Sequence, residues 1–253
     1  MAGHSKWANI KHRKGAQDKK RAKQFTRVIK EITVAIKENN QNGDPETNPS
    51  LRNAIQNAKG VNMPKDTIER AIKKASGADA DSYEKMTFEG YGPHGIAFYV
   101  ECTTDNTNRT VASVRSIFTK HNGSLGTNGS LEFLFNRKGV FTLKKESLDW
   151  DLEELQLELI EAGATKFENE DDFFVIYTDF TDFGKMSEKL ESLKIETHNA
   201  ELQRIALNTE SLPLEDAKQI INLIDAFEDD DDVQDVFHNL EMTDELETAL
   251  EED

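Results

Sequence analysis

Residues 139–207 read GVFTLKKESLDWDLEELQLELIEAGATKFENEDDFFVIYTDFTDFGKMSEKLESLKIETHNAELQRIAL, and this stretch decides the fold. Gly139–Lys144 reads as a strand, and Leu152–Ala162 repeats its apolar residues at helical spacing. Thr165–Glu168 and Phe173–Thr178 read as two further strands. Phe183–Leu193 reads as a second helix and His198–Leu207 as a closing strand. The order β-α-β-β-α-β is the ferredoxin-like split βαβ arrangement, complete between residues 136 and 207.

The flanks of that unit are each incomplete. On the amino-terminal side, strands are expected over Tyr83–Glu89 and Gly95–Cys102, then a helix over Asn108–His121 and a strand over Ser130–Phe135. On the other side, Pro213 opens a helix carrying Leu214, Ala217, Ile221, Ile224 and Phe227, and Val233–Asn239 reads as a strand. One discontinuous α/β domain, 78–135 plus 208–240, with the ferredoxin-like unit (136–207) inserted in it, joins these halves. Residues 241–253 are acidic and read as a mobile tail.

Residues 15–77 read as three amphipathic helices. Phe25, Val28, Ile29, Ile32 and Ile36 form one apolar stripe, opposed by a polar face with Lys23, Arg27 and Lys30. Asn39–Pro45 ends that helix. Asn48 reads as the N-cap of the next, with Pro49 in its first turn, Leu51, Ala54, Ile55 and Ala58 buried, and Gly60 as its stop. The third starts near Pro64, buries Ile68, Ala71, Ile72 and Ala75, and stops at Gly77. Short loops make these a small bundle within a domain 1–77, preceded by an extended arm. The overall expectation is an α+β chain: an N-terminal three-helix domain followed by two α/β domains.

Charge follows the same divisions. The formal net charge is −17, yet the first thirty residues hold ten Lys/Arg and one acid. Residues 1–77 carry +10, and residues 208–253 carry −16. A cationic arm on an acidic body selects polyphosphate as its partner, because each cation set against a phosphate releases a condensed counterion. The candidate nucleic-acid-binding residues are His4, Lys6, Trp7, Lys11, His12, Arg13, Lys14, Lys19, Lys20, Arg21, Lys23 and Arg27. Trp7 either stacks on a base while the cations track the backbone or anchors locally on the first helix. His4 and His12 are either polymer contacts or solvated side chains.

Other chemistries find little support. The lone Cys102 excludes an internal disulfide and reads as a buried strand residue. The six histidines lack metal-ligand spacing. Gly90–Gly95 matches G-x-G-x-x-G, but a strand-like run follows where a dinucleotide loop needs a helix. The run Glu228–Asp232 lacks the glycine turn of a calcium loop and reads as solvated charge. No cofactor, metal, membrane or small-molecule substrate is expected, and a cytoplasmic setting is.

Several ordered blocks resemble those of the YebC family. They are Gly3–Lys14, Asn62–Lys73, Tyr91–Gly95, Thr104–Thr110, Gly123–Gly126 and Asp232–Asn239. Thr107 stands where many relatives carry a basic residue, and Asn122 where Gly is usual. The resemblance implies three domains, one interrupting another, and a non-enzymatic role in gene expression. The family is labelled as probable DNA-binding transcriptional regulators. Some members, including a mitochondrial translational activator of cytochrome oxidase, act on translation, and bacterial relatives are associated with ribosomes at proline runs. Two targets therefore stand: duplex DNA, for which the third helix offers Lys65, Arg70, Lys73 and Lys74 with Arg70 the strongest base reader, and ribosomal RNA, which a one-sided arm suits.

Overall fold

The structure, a computed structural model, describes residues 18–77, 82–170 and 172–252. It is α+β, with a helical N-terminal part and two four-stranded sheets. Two compact units are distinguished, each with its own sheet.

One unit contains Ser82–Asn136 and Arg204–Asp253. Its strands are β1 (Glu84–Tyr91), β2 (Ala97–Thr104), β3 (Ser124–Leu125) and β8 (Val233–His238), in the order β3-β1-β2-β8. Its helices are α4 (Thr107–Lys120), α7 (Leu214–Glu228) and α8 (Asp244–Glu252). β2 is central, so residues on both of its faces are buried. Phe98, Val100 and Cys102 join Val114 and Phe118 of α4 and Ile220, Ile224 and Phe227 of α7 in one core. Ala97 and Tyr99 share a second, smaller core with Leu131, Phe135 and Phe237. β8 pairs antiparallel with β2, Phe98 opposite His238 and Val100 opposite Val236. The sheet is thus completed by chain that follows the inserted unit.

The other unit contains Arg21–Asp81 and Arg137–Gln203. Its ferredoxin-like part is β4 (Phe135–Lys144), α5 (Leu152–Glu161), β5 (Ala164–Asn169), β6 (Phe173–Asp179), α6 (Phe183–Ser192) and β7 (Asn199–Ala206), with strand order β5-β6-β4-β7. Phe141, Leu143, Phe174 and Ile176 meet Leu155, Leu159, Met186 and Leu190 beneath the two helices. The three-helix part is α1 (Asp18–Glu38), α2 (Pro49–Gly60) and α3 (Lys65–Ala75). Ile32, Ile36, Leu51, Ala54, Ala58, Ile68 and Ala75 form its core.

The cap at Asn48 does more than start α2. Its Oδ1 accepts from Leu51 N at 3.1 Å, while its Nδ2 donates to Ala35 O at 3.0 Å and Asn42 O at 2.9 Å, locking the α1–α2 turn. Helix α2 packs close to the chain that enters β7. A Cβ at Gly60 would lie 1.8 Å from the carbonyl oxygen of His198, so only glycine allows the approach. Gly60 is therefore the last helical residue and not a stop beyond it; Asn62, at φ 55°, takes the left-handed turn instead.

Four expectations are corrected. Ser130–Phe135 is not a strand: Glu132–Leu134 form a single 3-10 turn, and β4 begins at Phe135. Leu134 N donates to Leu131 O at 2.9 Å, the bond that closes this turn, and both Leu131 and Phe135 are buried. Lys30 is not on a solvated face but is 6% exposed. Asp232 is not part of a solvated run; it is 5% exposed. The segment 241–253 is not a mobile tail. Asp244–Glu252 is helical, and Met242, Leu246 and Leu250 recur every fourth residue and enter the core beside α7.

Candidate nucleic-acid interface

The sequence-derived residues fall at one end of the chain. His4, Lys6, Trp7, Lys11, His12, Arg13 and Lys14 lie outside the described residues. Lys19, Lys20 and Arg21 belong to the first turn of α1. Positions 19, 23, 27 and 30 follow at steps of four, four and three, so the helix gathers them into one stripe. Lys23 and Arg27 are half-buried, and each is engaged within the protein.

Helix α3 presents a different surface. Its apolar side (Ile68, Ala71, Ala75) faces the bundle, leaving Lys65, Asp66, Glu69, Arg70 and Lys73 outward. Lys65 Nζ lies 3.6 Å from Glu69 Oε1. Arg70 is tied to its own helix, Nε donating to Asp66 O at 3.1 Å and Nη2 to Thr67 Oγ1 at 3.2 Å. A shallow depression is lined by Asp66, Glu69, Arg70 and Lys73, two acids and two bases. Such a balanced surface gives a polyanion little net attraction. The strongest base reader expected on this helix thus has two of its donors engaged with its own helix.

The Gly90–Gly95 motif is a connection between strands. β1 ends at Tyr91, Pro93–Gly95 makes one 3-10 turn with His94 at φ 58°, and Gly92 N donates to Ile96 O at 2.8 Å before β2. Strand, not helix, follows, so no phosphate-cradling helix terminus is formed there. Cys102 is 2% exposed in the sheet core. Among the described residues no group of three His, Cys, Asp or Glu side chains is placed to hold a metal ion. Among them also, no helix is long and apolar enough to cross a membrane.

Sequence reasoning missed a polar lock joining two of the distant blocks. The Arg109 guanidinium grips the buried Asp232 carboxylate, Nε to Oδ2 at 3.1 Å and Nη2 to Oδ2 at 2.8 Å. Nη2 also reaches Asp105 Oδ1 at 2.7 Å, and Thr110 Oγ1 donates to Asp232 Oδ2 at 2.9 Å. The hydrogen bond to Asp232, then that to Asp105, holds the guanidinium pKa above its ordinary value. Ser113 Oγ donates to Asp230 in the same turn. Asn106 caps α4 by accepting from Arg109 N at 3.1 Å. Only the Asp-to-Val switch at 232–233, where a charge run meets a strand, hints at this in the sequence. The lock gives the Thr104–Thr110 block a structural role.

Comparison with known proteins matches both parts of the chain to one family. Residues 5–78 match the profile described as TACO1/YebC protein N-terminal domain, and residues 83–240 the TACO1/YebC second and third domain. A "Probable transcriptional regulatory protein" of Amoebophilus asiaticus is 52% identical over 242 residues, covering 95% of this chain and 98% of that one. Another of the same description, from a Geobacillus species, is 47% identical over the full length of both. The crystal structure of a conserved hypothetical protein from Aquifex aeolicus superposes with a TM-score of 0.77 at 39% identity, covering 87% of this chain and 90% of that chain.

Proposed function

This chain belongs to the TACO1/YebC family, and we propose that it is a non-enzymatic, nucleic-acid-binding regulator of gene expression that holds its polymer through the basic N-terminal arm and the start of α1. The observation that carries this reading is the segregation of charge: +10 over residues 1–77 of a chain whose total is −17. Repulsion by the acidic remainder makes the cationic part the main foothold of a polyanion, and counterion release supplies the affinity. The relatives' shared description as probable transcriptional regulatory proteins supports duplex DNA as the target. No cofactor, small-molecule substrate or membrane enters this scheme, and it operates in the cytoplasm.

A second target, ribosomal RNA, is favoured by one observation. Arg70, the residue of α3 best suited to read a base edge, is bonded to Asp66 and Thr67. A helix whose one arginine is partly held by its own first turn is a weaker major-groove reader, whereas shape and phosphate contacts suffice on structured RNA.

Replacing Lys11, Arg13 and Lys14 by Ala tests the arm. The salt dependence of binding flattens by about 0.9 per lost phosphate contact on a duplex, or about 0.7 on a single strand. An unchanged slope removes the arm from the interface. Gradient sedimentation of lysate with and without RNase, beside promoter-fragment titration, separates the targets. RNase-sensitive co-migration with ribosomes and sequence-indifferent DNA affinity select translation; tight, site-selective DNA affinity selects transcription.

A further inference from the structure

The chain carries 48 Asp/Glu, yet residues 106–131 contain none, its longest acid-free run. That run is α4, β3 and the loop after them. Over 82–136 and 204–253, six Lys/Arg stand among 22 Asp/Glu. With acids so abundant, cations are readily neutralised from within: Arg109 by Asp232 and Asp105, Arg204 by Glu101 at 2.9 Å, and Lys218 by Glu215 at 4.0 Å. Lys85 is engaged too. Arg115 and Lys120 are the exceptions. Both are exposed on α4, and among the described residues neither side chain makes a hydrogen bond or ion pair.

The side chains around them are short and uncharged. Five residues apart, they stand about 7.5 Å apart along the helix and about 140° apart around it. The arc between them carries the exposed Ala112 and Thr119 and the half-buried Ser116, and Thr119 Oγ1 donates to Arg115 O at 2.9 Å. The run then continues into the uncharged, exposed loop Gly126–Ser130. Glu89, only 2% exposed, braces that loop: its carboxylate accepts from Gly129 N at 2.6 Å and Leu131 N at 2.5 Å, and its carbonyl from Gly126 N at 2.7 Å. A buried charge that fixes an exposed loop pre-organises it for a contact. Tyr91, 43% exposed, stands opposite Ser124 in the β1–β3 pair.

We propose that this acid-free face, α4 with the braced loop Gly126–Ser130, is a second contact for the phosphodiester backbone of the nucleic acid held by the N-terminal arm. It rests on the nucleic-acid reading above. Cations not already paired with internal acids can neutralise phosphates and so release the counterions condensed on the polymer. The helix dipole accounts for a lysine in the last turn of α4, as Lys120 is, but not for Arg115 a turn and more earlier.

The test is the full chain with Arg115→Gln and Lys120→Gln, titrated by fluorescence anisotropy. The probes are a duplex DNA of about 20 base pairs and an RNA hairpin of equal phosphate count, each between about 50 and 200 mM salt. The slope of log K against log salt is expected to fall by about 1.8 on the duplex, two contacts at about 0.9 each. The melting temperature stays unchanged, and Arg115→Lys with Lys120→Arg restores the slope. Loss on the hairpin alone assigns RNA as the polymer; loss on both assigns the backbone in general. A slope equal to that of the unaltered chain, while the Lys11, Arg13 and Lys14 variant loses its own, overturns this face and leaves the arm standing. The converse, loss for the Gln pair and none for the arm variant, overturns the arm and leaves this face.

Discussion

The side-chain amide of Asn57 bonds both backbone groups of Ala200, Nδ2 donating to the carbonyl at 3.1 Å and Oδ1 accepting from the amide at 2.9 Å. Asn57 is on α2, while Ala200 is on β7, the edge strand of the ferredoxin-like sheet. The amide therefore stands in for a neighbouring strand and covers an edge that would otherwise present unpaired groups. Both residues are buried, so truncation orphans a donor and an acceptor. Asn57→Ala is expected to cost about 1–3 kcal/mol for each orphaned group, read from denaturant midpoints; Asn57→Asp, which sets a buried carboxylate oxygen against the Ala200 carbonyl and the Glu31 carboxylate, is expected to cost at least as much. Equal stability of both variants and the parent would show that water satisfies Ala200. Asn122 illustrates a gentler case. It sits at φ 58° after α4, in the left-handed region that Asn tolerates better than most side chains.

At the scale of elements, α8 shows how composition can hide a packed helix. The segment is strongly acidic, but Met242, Leu246 and Leu250 are 4%, 1% and 7% exposed. Asp244 and Glu245 are exposed, and its apolar stripe completes the core formed with α7 and β8. Leu246→Ala is expected to destabilise the protein by about 2–5 kcal/mol, the range for emptying a buried leucine site. Thermal or urea melts check this, and a loss below about 0.5 kcal/mol would show that the helix is only loosely docked. The 3-10 turn at Glu132–Leu134 is another element that pattern alone misread. Its shape follows from Leu131 N being held by the Glu89 carboxylate, forty-two positions earlier in the chain.

At the scale of the whole molecule, insertion sets a condition on folding. β1 and β2 are made early, but β2 gains its outer neighbour β8 only after the ferredoxin-like residues. A chain ended after Leu207 lacks α7, β8 and α8, and so exposes Phe98, Phe118 and the free edge of β2. Such a fragment is expected to bind ANS and to aggregate; a soluble, ANS-negative fragment with a cooperative melt would refute that. Much of this architecture was legible beforehand. Apolar period, caps such as Asn48, and the order of strands and helices are local signals carried by neighbouring residues. The reversal of charge between residues 1–77 and 208–253 needed no structure either. The partners of individual side chains did. Asp232 looked like one more solvated acid until the fold placed Arg109, 123 positions away, against it. Asn57 meets Ala200 across 143 positions, and Arg115 and Lys120 stand out only because every other cation around them has found a partner. Sequence alone determined the elements and where charge accumulates, because both depend on near neighbours and composition. Tertiary structure alone decided which charges are buried, which are matched and which face outward, because those depend on segments brought together from opposite ends of an interrupted domain.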